Sequence, residues 1–185
     1  HRSSMGFPET GIGIYPGLGG TQRLTRRLGL GLARFYIYTG AFIGSRDLAK
    51  LNIAAEVVAV EDFGDALKRT LKNHSRQASV ELTSLDGDTQ ALAKWLSEAP
   101  SATLIKGEAE EPEAVKGLKI LKKISHKAPL AIGMVEELTQ VASQGDLDSG
   151  LAAELSKLQA IFGSSDALEG LSALLERRRP TYKGM

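Results

Sequence analysis

Glu9 is the single carboxylate in an eighteen-residue run, Phe7 to Leu24, that also holds five glycines and two prolines. Set among Phe7, Ile12, Ile14 and Tyr15, its carboxyl would be poorly hydrated. Poor hydration raises a carboxyl pKa and suits the group to giving and taking protons near neutral pH. The bland alternative is a surface glutamate that caps the turn at Thr10 or Gly11. Gly17, Gly19 and Gly20 read as a turn that opens a helix, glycine supplying positive backbone dihedrals and close approach. They do not form a dinucleotide or phosphate loop. The spacing lacks G-x-G-x-x-G after a strand, and no Lys-Ser/Thr pair follows the glycines.

Other chemistry is thin. The chain has no cysteine, which removes disulfides, thiolate metal sites and a thiol nucleophile together. His1, His74 and His126 stand far apart without ligand spacing, so no metal is expected, and His74 and His126 read as polar helix-end residues. Arg23, Arg26 and Arg27 share a helix face three and four residues apart and read mainly as a solvent or interface face. Tyr36 and Tyr38, alternating with Phe35 and Ile37, read as core or subunit packing, and Met5, Met134 and Met185 carry no motif.

The elements that must position these residues follow from pattern. The stretch from Gly6 to Gly20 is an extended lead-in with two turns. Helices are expected from Thr21 to Leu28, where basic residues precede Gly29, and from Leu30 to Thr39. Ser45 reads as an N-cap for "RDLAKLN", "AEVVAV" from Ala55 as a short strand, and Glu61 to His74 as a helix. Between Gln77 and Pro112 the chain turns polar, with Gly and Pro and the lone Trp95. It reads as an inserted segment with one helix, Thr89 to Glu98, tethered through Leu92 and Trp95. Four helical pieces follow: Glu113 to Ser125, Leu130 to Ser143, Leu147 to Phe162, and Ser165 to Arg179, the last stopped by Pro180.

With 185 residues, 42% apolar and 24% charged, the chain has the composition of an ordinary globular protein with a real core. Twenty-three basic and 22 acidic residues leave a formal charge of +1, so no global field draws it to nucleic acid or anionic lipid. No apolar run reaches the length of a membrane span and the N-terminus lacks a secretion pattern; a cytoplasmic, soluble protein is expected.

The string "FPETGIGIYPGLGGTQRLTRRLG", followed by "A…YTGAFIGSRDLAKLNIAAEVV", resembles the crotonase superfamily, the enoyl-CoA hydratases and isomerases. A looser likeness joins "SDALEGLSALLERRRPTYKGM" to that family's C-terminal helix and tail. The resemblance implies an α/β spiral fold of the ClpP/crotonase type, of which this stretch would be the mostly helical C-terminal half with few short strands. It places Glu9 on the family's second catalytic glutamate, facing the α-carbon of an acyl thioester, and lets Gly17, Gly19 and Gly20 shape the acyl wall. Arg177 in "ERRRP" matches a position where relatives carry a cation for coenzyme A; a solvated charge run at a helix C-terminus explains it equally well. The amides that grip the thioester carbonyl belong to motifs expected upstream of Gly6, as does the hydratases' first glutamate. "AFIGSRD" imitates one of those motifs but falls on the wrong side of Glu9.

The implied organisation is a core part at residues 1–76, an inserted segment at 77–112 and a C-terminal helical oligomerisation region at 113–185. The implied partners are an acyl-CoA substrate and further copies of the chain, as a homotrimer or hexamer, with no cofactor beyond the coenzyme A of the substrate. Hydratase and isomerase both fit Glu9. A hydrolase acting on 3-hydroxyisobutyryl-CoA is an alternative, since "PETGIGIYP" resembles that branch, but its aspartate after the second proline is replaced by Gly17. A catalytically incomplete module with an assembly role is the non-enzymatic alternative.

Overall fold

The structure, a computed structural model, describes residues 3–73 and 79–185. His1, His74 and the start of the inserted segment lie outside the described residues. Two helices open the fold: α1 (Gly20–Leu28) and α2 (Leu30–Thr39), joined at Gly29, whose φ of 77° suits a residue without Cβ. Both were legible from their flanking glycines. A two-residue strand β1 (Ser4–Met5) pairs antiparallel with β2 (Ile43–Gly44), and these are the only strands among the described residues. Then come α3 (Ser45–Lys50), α4 (Phe63–Asn73), α5 (Gly87–Glu98), α6 (Ser101–Lys106), α7 (Ile120–Ile124), α8 (Pro129–Gln144), α9 (Leu147–Ser156), α10 (Leu158–Phe162) and α11 (Ser165–Glu176).

The core gathers on α2, which packs against α1, α5 and α8. Leu28, Leu32, Ile37, Tyr38, Leu96, Leu104, Ile132 and Leu138 are all fully enclosed there. The α2–α5 crossing is so close that a Cβ on Gly31 would stand 1.7 Å from the Ala93 carbonyl oxygen. Arg34, buried in the same seam, donates to Thr139 Oγ1 and to the carbonyls of Leu96, Ser97 and Glu136, tying α5 to α8 through α2. A buried guanidinium is tolerable because its donors are satisfied. Side-chain N-caps start three helices: Asp86 for α5, Asp146 for α9 and Ser164 for α11.

Several local expectations are corrected. Ala55 to Val60 forms no strand: no described strand lies beside it to pair its backbone, and Val57 and Val60 face solvent before a 3-10 turn at Val60–Asp62. Ser45 is the first residue of α3, and the cap position falls to Gly44 without a side-chain bond. The inserted segment carries α5 and α6 rather than one helix, and Leu92, Ala93, Leu96 and Leu104 join the main buried cluster. The piece from Glu113 divides at left-handed Lys119 (φ 52°) into a 3-10 turn and α7. The helix expected to stop at Pro180 ends three residues earlier. Arg177 turns left-handed (φ 55°), and Arg178 N–H closes back on the Ala173 carbonyl at 3.0 Å in a Schellman-type stop.

Candidate active site

Glu9 begins a one-turn 3-10 helix, Glu9–Ile12, that is fastened from four directions. Thr10 Oγ1 donates to the Ile37 carbonyl of α2 at 3.0 Å, and the Thr10 carbonyl accepts from Ala128 N–H at the head of α8, also at 3.0 Å. Tyr182 of the C-terminal tail donates its hydroxyl to the Gly11 carbonyl at 2.6 Å. On the last side α11 lies backbone against backbone. A Cβ on Gly13 would sit 2.2 Å from the Asp166 carbonyl, and one on Gly170 would sit 2.3 Å from the Ile12 carbonyl. Within this rigid turn Glu9 Oε2 is enclosed and has no hydrogen-bond partner. Burial pushes its carboxyl pKa up, opposed in part by a hydrogen bond from its own backbone. Lys127 folds over the same turn, its Nζ 3.2 Å from where a Gly11 Cβ would stand, and burial lowers the pKa of that amine.

Beside this turn lies a cavity of about 760 Å³ lined by Met5, Phe7, Gly17 to Gly20, Leu24, Ile53 and Leu147, with Arg23, Arg26 and Arg27 among its walls. The three glycines expected to form a wall are thus brought together. Gly17 leaves open space, with nothing within 4 Å of a Cβ placed there, whereas Gly19 (φ 85°) has no room because the Arg23 guanidinium and Leu151 press on it. Leu18, fully exposed, is also left-handed (φ 56°), a conformation that costs a non-glycine residue about 1 kcal/mol. The ring of Phe7 stands 3.5 Å from a Gly20 Cβ position, so the Phe7–Glu9 segment connects cavity and carboxyl. Glu9 itself is not among the lining residues of this cavity.

The face shared by Arg23, Arg26 and Arg27, expected to meet mainly solvent or an interface, borders this cavity: Arg23 donates to the Leu18 carbonyl, and Arg26 to the carbonyls of Gly145 and Asp146. Arg177 is exposed at the end of α11 and lines neither this cavity nor the one formed by Lys127, Arg179 and Tyr182. Among the described residues no group of three His, Asp or Glu side chains is placed to hold a metal. No helix among them is long and apolar enough to cross a membrane.

One carboxylate escaped sequence reasoning. Glu154 of α9 is buried, and its two oxygens accept from Gly19 N–H at 2.5 Å and Thr21 Oγ1 at 2.6 Å. Its own carbonyl accepts from the Tyr15 hydroxyl at 2.6 Å. Burial, with the Glu154 charge second, pushes the Tyr15 pKa up to about 12. Periodicity misleads here, for Leu155 is exposed and Glu154 is not. The available signal was Gly150, one turn earlier, where a Cβ would meet Gln22 Oε1 at 2.0 Å and so marks the face pressed against α1.

The fold is that of the crotonases, of which this chain forms a mostly helical part with two short strands among its described residues. A crystal structure of an enoyl-CoA hydratase from Rhodobacter sphaeroides superposes with a TM-score of 0.71 at 22% identity, covering 98% of this chain and 55% of that one. The model of the enoyl-CoA hydratase/isomerase family matches residues 1–184, and the chain belongs to that family. Among curated relatives, the protein named "Probable enoyl-CoA hydratase 2, mitochondrial" of Arabidopsis thaliana is 28% identical over 180 residues, 97% of this chain and 43% of the relative. Methylglutaconyl-CoA hydratase 1, mitochondrial, of Pyricularia oryzae is also 28% identical over 180 residues, 97% of this chain and 42% of the relative. The chain therefore spans somewhat under half the length of these two relatives.

Proposed function

We propose that this chain is the part of an enoyl-CoA hydratase or isomerase that moves the proton at the α-carbon of an acyl-CoA thioester, with Glu9 as donor and acceptor. One observation carries the reading: Glu9 Oε2 is enclosed and unpartnered in a turn fixed on four sides, and burial raises the carboxyl pKa. A carboxyl so placed is ready to exchange a proton with a bound carbon acid near neutral pH. Removing the α-proton leaves an enolate, which backbone amides from the family's upstream motifs would hold. Returning that proton at the γ-carbon is isomerisation; in hydration the hydroxyl of water adds to the β-carbon of a 2-enoyl thioester, and a proton balancing the one water gives up is delivered to the α-carbon. Gly17, Gly19 and Gly20 would form the wall of the acyl tail, and the apolar side of the cavity they border, with Met5, Phe7, Leu24, Ile53 and Leu147, suits one.

Arg177 is assigned to the phosphates of coenzyme A: its guanidinium makes no hydrogen bond or ion pair to other described residues, so its donors are available. In this reading residues 1–76 supply Glu9 and the glycine wall, the inserted segment packs on the core through α5 and α6, and residues 113–185, which also give Leu147 to the cavity and Arg177 to the coenzyme, carry assembly into a trimer or pair of trimers. Exposed Leu168, Leu171, Leu174 and Leu175 on α11 support an assembly surface.

The test is turnover of crotonyl-CoA by the protein its full gene encodes, with Glu9→Gln against the parent. A fall of about 10²–10⁴ in kcat is expected from loss of the proton-transfer group. An unchanged rate removes Glu9 from the mechanism. Following loss of the enoyl chromophore, migration of a double bond from a 3-enoyl-CoA, and release of free thiol separates hydratase, isomerase and hydrolase; thiol release alone would overturn the reading.

A further inference from the structure

We infer that Glu154 is a positioning residue for the cavity wall, holding the Gly17–Gly20 turn in the shape that admits an acyl tail; this rests on the acyl-thioester reading above. Glu154 is 4% exposed, and its contacts reach the chain before, within and after the glycines: Tyr15, Gly19 and Thr21. For helix packing alone an apolar residue would serve, since burying a carboxylate is costly even when it is bonded. What the carboxylate adds is direction.

The heading of the Gly19 N–H is set by ψ of Leu18 and φ of Gly19, and both residues are left-handed, at φ 56° and 85°. A charge-assisted bond from Gly19 to Oε1 rewards that strained geometry and no relaxed one. On the other side of the same peptide stretch, Arg23 donates to the Leu18 carbonyl at 2.6 Å. The turn is therefore pinned between α9 and α1, and Leu18, fully exposed, marks its outer rim. Without Glu154 the rim can relax toward right-handed backbone, which alters the mouth that Gly17, Leu18 and Gly19 line. Glu9 stands in a different turn with its own fastenings to α2, α8 and the tail. Loss of Glu154 should thus disturb the fit of the tail and spare proton transfer.

The experiment uses the protein as its full gene encodes it and straight-chain 2-enoyl-CoA substrates of about four to ten carbons. For Glu154→Ala, KM for the longest substrate should rise about tenfold while kcat on the shortest stays within about threefold. Glu154→Gln should return close to the parent profile, because its amide oxygen can accept from Gly19 and its amide can donate to Thr21 Oγ1. Equal losses at every chain length, in kcat and KM together, would overturn the inference and leave Glu154 a packing residue. Should Glu154→Ala fail to fold, Thr21→Val removes the donor at Oε2, together with one of the two acceptors of the Gln22 amide, and a KM rise of about threefold confined to long substrates is expected.

A readout that needs no substrate completes the test. Exchange of the Gly19 amide hydrogen should quicken about tenfold in Glu154→Ala, or in Thr21→Val to a smaller extent, and unchanged protection would overturn the clamp. A parent inactive on every acyl-CoA, with Gly19 exchange still quickened in the variant, would sink the acyl-thioester reading and strike the tail from this inference while the clamp stands.

Discussion

Glu9 and Glu154 are both carboxyls withdrawn from water, Glu9 partly and Glu154 almost wholly, and they are held in opposite ways. The turn of Glu9 is locked by backbone packing, a threonine and a tyrosine hydroxyl, yet its own Oε2 is bonded to nothing. Glu154 is bonded at both oxygens and does the holding itself. An acid whose bonds are all spent on the protein has little left for a substrate, and an acid fixed through its backbone keeps its carboxyl available. Burial alone thus does not single out a reactive group; the state of its hydrogen bonds does.

The sharpest way to break this contrast is Glu9→Gln. Besides the loss of rate expected above, the variant should be at least as stable as the parent at neutral pH, since it removes an unpaired acid. The sign follows from the raised pKa. Burial favours the neutral form in the folded state, so that form's contribution is full below the ordinary value of 4.5 and is lost as pH rises through the raised one. Melting curves at stepwise pH should show the Gln variant gaining on the parent as pH climbs from 4 to 8, and a constant difference would contradict the buried acid.

Next in size is Gly170→Ala, aimed at the support of the Glu9 turn. A methyl 2.3 Å from the Ile12 backbone forces α11 away, with an expected loss of about 3 kcal/mol in denaturant unfolding and a matching fall in activity. Full stability in that variant would mean the turn is not held by α11. Tyr15→Phe probes the other carboxylate: removing one hydroxyl from the Glu154 carbonyl should cost about 1 kcal/mol by the same measurement and leave the Glu9 pH dependence untouched.

The smallest effect concerns the tail. Arg178 and Thr181 N–H hold the Glu169 carboxyl down to about 2, so the latch it forms persists above the ordinary value of 4.5 and loosens as pH falls toward 2. Arg178 is exposed and Glu169 is partly so, and screening by solvent keeps the stability effect slight. The protection factor of the Thr181 amide, its exchange relative to the unstructured rate at the same pH, should fall in acid while the melting temperature scarcely responds, and a large cooperative loss would show that the tail does more for the Glu9 turn than its Tyr182 bond.

The inserted segment reads from sequence as a polar insert tethered through Leu92 and Trp95, although its helix α5 crosses α2 in close contact within the core. The reason is visible at Gly31 and Ala93: contact there is made by small residues and backbone, which leave no hydrophobic signature. The expected strand at Ala55 failed for a related reason, since β-branched residues describe a preference that only a pairing partner can realise. In the same way three arginines spaced for a helix face say nothing about what that face meets, and here it meets a cavity.

Sequence alone settled what depends on near neighbours. The bounds of α2 come from Gly29 and Gly40, the glycine turn before α1 comes from Pro16 to Gly20, and the apolar setting of Glu9 comes from residues within six positions of it. Tertiary structure decided what depends on remote ones. That Glu9 Oε2 is left unbonded while both Glu154 oxygens are bonded follows from contacts such as Gly19 to Glu154, separated by 135 residues. Local periodicity and capping act over a turn or two of chain, and a hydrogen bond across the fold exists only once packing has brought its donor and acceptor within 3 Å or so of each other.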